Sequence, residues 1–551
     1  MRATCRRLAA AVAAATVTLA MLGCNSPSHL FTSQPAKESD LPRSRYSPPP
    51  ERDYSQPAER HRSRFAEPTP AHGGSATVNA APADAMFFRN YGANAFIDTD
   101  EDHLSTFATD VDTGSYTLCR SYLERGSLPP EAAVRVEEFV NYFDYGYAPP
   151  DRGDAMAVHL EAAPSRFGPG KVLLRVGVKA REVDPEDRKD AILTFVIDTS
   201  GSMAREDRLE LVKRALRLLV DELDSGDRVG IIAFGTTGRK VLEPCGAEHR
   251  ERILDAIDSL RPEGSTNAEQ GLELGYAMAK RAFRQGATNR VILCSDGVAN
   301  TGLTSPAAIL ARAEECGKDG IALSTVGVGM GNYNDVLLEQ IADKGRGNYA
   351  YVDRLAEARR IFSRNLTRTI ETVAKDAKVQ VDFNPEVVRA SRLVGYENRD
   401  VADRDFRSSG ARGGDIGAGH SVTALYEVKL WPRKSGRIAK VTVRYKKPDA
   451  WFATETERRI STDEVAGRFD DASPAFKLAA CAAEFAEVLR GSPWAKSVRL
   501  DDVLFLARQC EAGRSKRDGR RGDIGDLARL IEVARDLMPF RRPADDTGEE
   551  Q

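Results

Sequence analysis

Apolar positions along the chain fall into distinct textures that change at definable places. Between residues 190 and 370, continuous apolar runs at 192–197, 229–234, 291–293 and 321–328 alternate with amphipathic stretches at 208–223, 268–284, 306–319 and 335–343. Unbroken apolar runs mark strands covered on both faces, and the period near 3.6 between them marks helices packed against those strands. The alternation predicts an α/β domain built on a doubly wound, mostly parallel sheet. A short hairpin-like strand at 239–242 interrupts it.

After Lys378 the period drops to two, in Val379, Val381 and Phe383, then Val422, Ala424, Tyr426 and Val428, then Val441, Val443 and Tyr445. That spacing predicts an antiparallel sheet. Helical stretches at 474–489, 500–510 and 523–537 follow, so residues 377–540 read as a C-terminal α+β domain and 541–551 as a polar tail. On the other side of the α/β domain, residues 86–185 form an N-terminal segment. Aromatic residues open it, helical spacing recurs at 115–125 and 130–143, and strand-like passages occupy 157–162 and 171–178. Asp112 stands ahead of the first of these helices as its cap.

Residues 24–85 are crowded with Pro, Ser, Arg, Glu and Gln and have almost no apolar period, which predicts an extended, disordered tether. Ahead of it, Arg2, Arg6 and Arg7 precede an apolar stretch at 8–22, the pattern of a secretory signal over residues 1–23. That stretch is shorter than the roughly 20 residues a membrane span requires. It ends in Met21-Leu22-Gly23-Cys24, which resembles a lipobox. The resemblance implies cleavage before Cys24 and lipidation of its thiol. The chain would then be exported and held by an N-terminal lipid anchor at the cell envelope, on the periplasmic face or the outer membrane.

Charge narrows the partners. Against 79 basic residues stand 82 acidic ones, a net charge of −3, so the chain has no electrostatic footprint for nucleic acid. Cys119, Cys245, Cys294, Cys316, Cys481 and Cys510 remain beyond the tether and form no CxxC pair. Cys294, in an apolar strand, and Cys481, in an Ala-rich helix, read as small buried hydrophobes. Spacing alone leaves a Cys481–Cys510 bridge open.

Three motifs concentrate the chemistry. Ile197-Asp198-Thr199-Ser200-Gly201-Ser202-Met203 ends an apolar strand, Gly264-Ser265-Thr266-Asn267 precedes a helix, and Cys294-Ser295-Asp296-Gly297 closes a later strand. In this order they match the motifs of von Willebrand factor type A (VWA) domains, which residues 190–370 resemble. On a doubly wound sheet, ligands lie beyond the carboxyl ends of strands at the switch point, where Asp198 and Asp296 both fall. The resemblance implies a metal-ion-dependent adhesion site made by Asp198, Ser200, Ser202, Thr266 and Asp296. Oxygen donors select a hard cation, Mg²⁺ with Mn²⁺ or Ca²⁺ as alternatives. Ser200 and Ser202 would bond it directly, Thr266 directly or through water, and the two aspartates through waters or hydrogen bonds. The resemblance also implies that an Asp or Glu carboxylate from a protein partner completes the shell. Gly201 and Gly264 suit the tight turns such a site needs.

Enzymatic readings of the same residues are weaker. Asp112-Thr113-Gly114 and Asp198-Thr199-Ser200-Gly201 share features with the paired turns of aspartic proteases, but Asp198 opens into a helix within an α/β alternation rather than a β-rich lobe. A Ser200 nucleophile would need a base. Of the seven histidines, His29, His61 and His72 lie in the tether, and His103, His159, His249 and His420 are isolated. Gly327-Val-Gly329-Met-Gly331 lacks the Lys and Ser/Thr of a phosphate-binding loop and reads as a strand-end turn.

The flanks narrow the resemblance. The runs TDVDTGSY at 109–116, VRVEEFVNYFD at 134–144, VGYENR at 394–399 and DIGAGHSVTALY at 415–426 are similar to those of bacterial YfbK-like VWA lipoproteins. The resemblance covers residues from about 86 to about 540. Two functions follow as expectations. The first is a divalent-cation-dependent protein-binding or scaffold module without enzymatic activity or small-molecule substrate. The alternative is an envelope enzyme with an active site in the C-terminal domain and the VWA domain as its docking arm. Residues 377–540 carry no paired carboxylates, metal-ligand cluster or nucleophile with base, and Glu397 and Asp415 read as structural, which favours the first.

Overall fold

The structure, a computed structural model, describes residues 88–109, 111–297, 306–330, 334–364, 371–408, 413–448, 450–515 and 520–538. The N-terminal flank contributes β1 (Ile97–Asp98), β2 (Leu104–Ala108), α1 (Gly114–Glu124), α2 (Val136–Asn141), β3 (Met156–Pro164) and β4 (Val172–Ala180). The α/β domain follows as β5 (Ala191–Asp198), α3 (Arg208–Val220), β6 (Arg228–Phe234), β7 (Gly238–Gly246), α4 (Arg250–Asp258), α5 (Ala268–Ala282), β8 (Thr288–Ser295), α6 (Pro306–Lys318), β9 (Ile321–Val328), α7 (Asp335–Lys344), β10 (Arg346–Val352) and α8 (Leu355–Arg359). The C-terminal flank adds β11 (Thr372–Phe383), β12 (Val388–Val394), β13 (Gly414–Gly417), β14 (Ser421–Leu430), β15 (Arg437–Lys446), β16 (Ala453–Ser461), α9 (Pro474–Leu489), α10 (Leu500–Ala512) and α11 (Arg520–Leu537).

The central sheet has the order β10-β9-β8-β5-β6-β7, parallel throughout except for β7, which folds back on β6. All eight residues of β5 are buried, as befits a strand covered on both faces. The chain leaves β5 toward β6 and β7, then crosses to β8, β9 and β10 on the other side. The switch point therefore lies where the carboxyl ends of β5 and β8 meet. The sequence pattern marked these strands but not β10, whose Arg-Gly-Asn start is poor in apolar residues, nor α4.

The flanks do not fold apart from each other. One antiparallel sheet has the order β1-β12-β14-β4-β3, and a second runs β13-β11-β15-β16 with β2 also on β11. Each mixes N-terminal and C-terminal strands: β14 pairs with β4 from Ser421↔Lys179 to Val428↔Val172, and β11 pairs with β2 from Lys378↔Ala108 to Asp382↔Leu104. The single sheet expected after Lys378 is thus two sheets, packed through Val176, Val178, Ala424 and Tyr426 of one and Val379, Val381, Val441 and Val443 of the other. Alternation reports which side chains face a core but says nothing of the pairing partner. Strand β14 is buried on both faces, because Leu425 points away from the sandwich into a core shared with α2 and α9.

Helices α1, α2, α9, α10 and α11 form that second core, which is continuous with α/β-domain residues such as Val196, Leu293, Leu323 and Leu338, with the Tyr116 and Tyr142 rings stacked 4.0 Å apart and Phe139 against Phe485. The single helix expected at 130–143 is divided. A 3₁₀ turn at Glu131–Ala133 is followed by extended backbone at Val134 and Arg135 before α2 begins. Tertiary contacts override the helical period here: the Arg135 amide donates to Ser115 Oγ, and its buried guanidinium meets Glu138 and Asp335. Asp112 likewise does not cap α1. Its carboxylate accepts from the Tyr349 amide at 3.0 Å and from Arg399 at 3.1 Å, tying the N-terminal flank to β10. All six cysteines among the described residues are buried free thiols, Cys481 and Cys510 included.

Arg120 of α1 is the most enclosed link between flank and α/β domain. Its guanidinium donates to both oxygens of Asp353 at 2.6 Å and to Glu357 at 3.0 Å, and Nη1 donates to the Tyr142 hydroxyl at 2.8 Å. Burial would raise the Glu357 carboxyl, yet Arg360 and Arg120 hold it below its ordinary value. Removing one partner of such a group leaves uncompensated buried charge. Arg120→Met is expected to destabilise the protein by about 3–5 kcal/mol, read as a lowered urea midpoint. A loss under about 1 kcal/mol would show that solvent, not Arg120, compensates these carboxylates.

Candidate functional site

Asp198 is the last residue of β5, and Asp296 follows the last residue of β8. The two strands are parallel neighbours in the register Ile197↔Cys294, which sets both carboxylates on the same end of the sheet. From Gly201 the chain turns through a 3₁₀ helix to Asp207 before α3 begins at Arg208. The Ser200 side chain makes no capping bond to that turn, so its hydroxyl is not spent on the backbone. Instead Ser200 Oγ lies 3.0 Å from Ser202 Oγ, and Ser202 Oγ donates to Asp296 Oδ1 at 3.0 Å. Asp198 is fully buried: Oδ1 accepts from the Ser200 amide at 2.8 Å and Oδ2 from Ser295 Oγ at 2.7 Å. Burial pushes the Asp198 carboxyl up to about 6 against the lowering effect of the Ser295 and Ser200 hydrogen bonds.

Thr266 arrives on a separate loop, which backbone bonds hold against the Asp198 turn. Glu263 N donates to Thr199 O at 2.5 Å and Gly201 N to Gly264 O at 3.0 Å. Gly264 has a φ of +66°, and a Cβ there would fall 1.9 Å from Thr236 Oγ1, so both conformation and space call for glycine. Thr266 itself is buried, one residue before Asn267, which caps α5 by accepting from the Gln270 amide. Asp198, Ser200, Ser202 and Asp296 are thus joined by hydrogen bonds, and Thr266 is brought alongside by its loop. Cys24 lies outside the described residues.

Two participants were not singled out in the sequence. Ser295 hydrogen-bonds Asp198 across the strand pair and also accepts from the Gly297 amide at 3.1 Å. Arg208, the first residue of α3, donates through Nη1 to Asp296 Oδ2 at 2.6 Å, with both side chains buried. Ser295 was legible as the polar residue ending an apolar strand beside Asp296. Arg208 resembles any basic residue at the start of an amphipathic helix, and only its burial sets it apart.

The donor set is entirely oxygen, the chemistry a hard divalent cation takes. Among the described residues, no group of three or more His, Cys, Asp or Glu is placed to hold a metal. A cation here would therefore rely on the serine and threonine hydroxyls as much as on carboxylates.

With this geometry the class is defined: residues 193–364 match the family model described as von Willebrand factor type A domain. Residues 82–175 match one described as von Willebrand factor, and 368–537 match one described as "Uncharacterized protein YfbK, C-terminal". The chain is 34% identical over 485 residues to "Uncharacterized protein YfbK" of Escherichia coli (strain K12), covering 83% of this chain and 82% of that one. It belongs to the YfbK family. It is also 28% identical over 282 residues to "Uncharacterized protein sll0103" of Synechocystis sp., covering 50% of this chain and 66% of that one. Among solved structures, the von Willebrand factor type A protein from Catenulispora acidiphila superposes with a TM-score of 0.42 at 18% identity, over 68% of this chain and 96% of that one.

The Ser295 contact gives a direct test of the site's rigidity. Ser295→Ala leaves Asp198 Oδ2 without that donor in a buried setting and is expected to cost about 1–3 kcal/mol of stability. Chemical denaturation of the metal-free protein reads it, and an unchanged midpoint would mean that Ser295 does not hold Asp198.

Proposed function

We propose that this protein is a divalent-cation-dependent protein-binding module of the bacterial cell envelope. The observation that carries the reading is the convergence of Asp198, Ser200, Ser202 and Asp296 at the switch point, with the Ser200 hydroxyl unused by the backbone turn it heads. Ser200, Ser202 and Thr266 would hold a cation such as Mg²⁺ or Mn²⁺, with Asp198 and Asp296 behind them orienting hydroxyls and bound waters. Neutral ligands under-neutralise such an ion. When bound, it would supply a Lewis-acidic position to which an Asp or Glu carboxylate of a protein partner adds, without any bond being made or broken in this chain.

The proposed setting rests on the sequence beyond the described residues. A lipid on Cys24 and a Pro-rich tether would hold the module at the periplasmic face or the outer membrane, within reach of envelope proteins. No helix among the described residues is long and apolar enough to cross a membrane. We assign no catalytic role to the C-terminal flank, where the carboxylates of interest have structural partners. Glu397 pairs with Arg490 at 2.9 Å, and Asp415 accepts from the Asp376 amide at 3.1 Å.

Binding of Mn²⁺ alone, followed by electron paramagnetic resonance of the free ion, and pull-down from envelope extracts with Mg²⁺ or EDTA test the reading together. Asp198→Ala and Thr266→Ala are each expected to weaken Mn²⁺ binding by about 10–100-fold or more and to abolish Mg²⁺-dependent capture while the far-ultraviolet spectrum is retained. Recovery of the same partners in Mg²⁺ and EDTA would overturn it.

A further inference from the structure

The two site aspartates are not equivalent, and the difference lies in Arg208. Asp198 is surrounded by neutral donors, the Ser295 hydroxyl and the Ser200 amide. Asp296 divides its oxygens: Oδ1 accepts from Ser202 and Oδ2 from the Arg208 guanidinium at 2.6 Å. The guanidinium is fixed from behind, since Nη2 donates to the Met330 carbonyl just beyond β9. The backbone is shaped to admit it. Gly329 has a φ of +74°, and a Cβ at that position would fall 2.1 Å from Arg208 Nε. Arg208 and Asp296 are 5% and 6% exposed, so solvent screens little of the charge between them.

We propose that Arg208 is a resident cation of the site that sets its charge balance, trading affinity for the metal against affinity for the partner's carboxylate. This rests on the metal-dependent reading above. The two carboxylates of Asp198 and Asp296 and the guanidinium of Arg208 sum to one negative charge beside the place a divalent ion would take. A site filled by such an ion then retains a net positive charge. Without Arg208 the two aspartates would neutralise the ion, which would bind more tightly and attract an incoming carboxylate less. Arg208 also spends Asp296 Oδ2, so Asp296 meets the site through Oδ1 and the Ser202 hydroxyl bonded to it. Arg208 is a positioning residue, acting on the cation through Asp296.

Mn²⁺ alone is the probe, titrated into the full chain and followed by electron paramagnetic resonance of the free ion. Removing a unit charge a few ångströms from a divalent ion in a partly buried site is expected to tighten binding roughly tenfold in Arg208→Gln. Arg208→Met, which keeps the stem and its packing, should do the same, and Arg208→Lys should stay within about threefold of the native protein. The Mn²⁺-induced rise in melting temperature should increase in the two neutral variants relative to their own metal-free melts. Native-like or weaker Mn²⁺ binding in neutral variants that melt cooperatively would overturn the proposal. If the native protein and Asp198→Ala bind Mn²⁺ equally poorly, the metal-site reading itself fails, a result distinct from a native protein that binds while Arg208 variants leave the affinity unchanged.

Discussion

The architecture depends on strand pairing between segments that lie on opposite sides of the VWA domain in sequence. Strand β14 fills the space between β12 and β4, and β11 carries both β2 and β15. Neither flank can complete a sheet alone: without β3 and β4, β14 is left with an open edge and the sandwich core loses Val158, Leu174, Val176 and Val178. The VWA domain is therefore an excursion from a sandwich closed by the two ends of the described chain. Bringing β4 back to β14 costs loop-closure entropy that grows only slowly with the length of the excursion, so an inserted domain is tolerated once the paired strands bury their faces.

That closure explains the density of buried charge where the flanks meet the VWA domain. Arg120 on α1 reaches Asp353 and Glu357, Arg135 ahead of α2 reaches Asp335, and Arg399 after β12 reaches Asp112 and Glu339. Buried ion pairs contribute little net stability over well-packed apolar contacts, because desolvation offsets the attraction. Their geometry is demanding, however, and a wrong register leaves a guanidinium unpaired in the interior. A junction of this kind specifies how an inserted domain sits more sharply than an apolar surface of equal area would, since apolar contact is non-directional.

The parts of this fold that were legible in the sequence are those governed by local periodicity. The apolar runs of β5, β6 and β9, and the helices α3, α5, α6 and α7, fall within a few residues of their predicted bounds, because a strand covered on both faces and a helix with one buried stripe each leave a distinct spacing. The loop at Gly264–Asn267 was legible for a different reason: its glycine adopts positive φ where a Cβ would collide with Thr236, and the turn at Asp198–Ser202 was legible through its match to the first VWA motif. What periodicity could not report was partnership. Val422, Ala424 and Tyr426 announce a strand but not that it lies beside β4, and the spacing at 130–143 announces a helix but not the carboxylates that draw Arg135 out of it. Arg208 and Asp112 belong to the same class of residue, whose role comes entirely from distant groups.

Those long-range partnerships also connect the site to the rest of the molecule. Asp296 is held by Arg208, Arg208 by the Met330 carbonyl, and the neighbouring Gly329 carbonyl accepts from the Tyr351 hydroxyl at 2.9 Å. The Tyr351 carbonyl in turn accepts from Thr117 Oγ1 of α1 at 2.8 Å. Every step is a buried or half-buried polar contact, and such groups lose free energy when unpaired. The position of Asp296 is thereby fixed from two directions, by β8 within its own sheet and by a chain of hydrogen bonds that ends on the N-terminal flank. The conformation of the switch point in this chain is set partly by α1, a helix that lies outside the VWA segment.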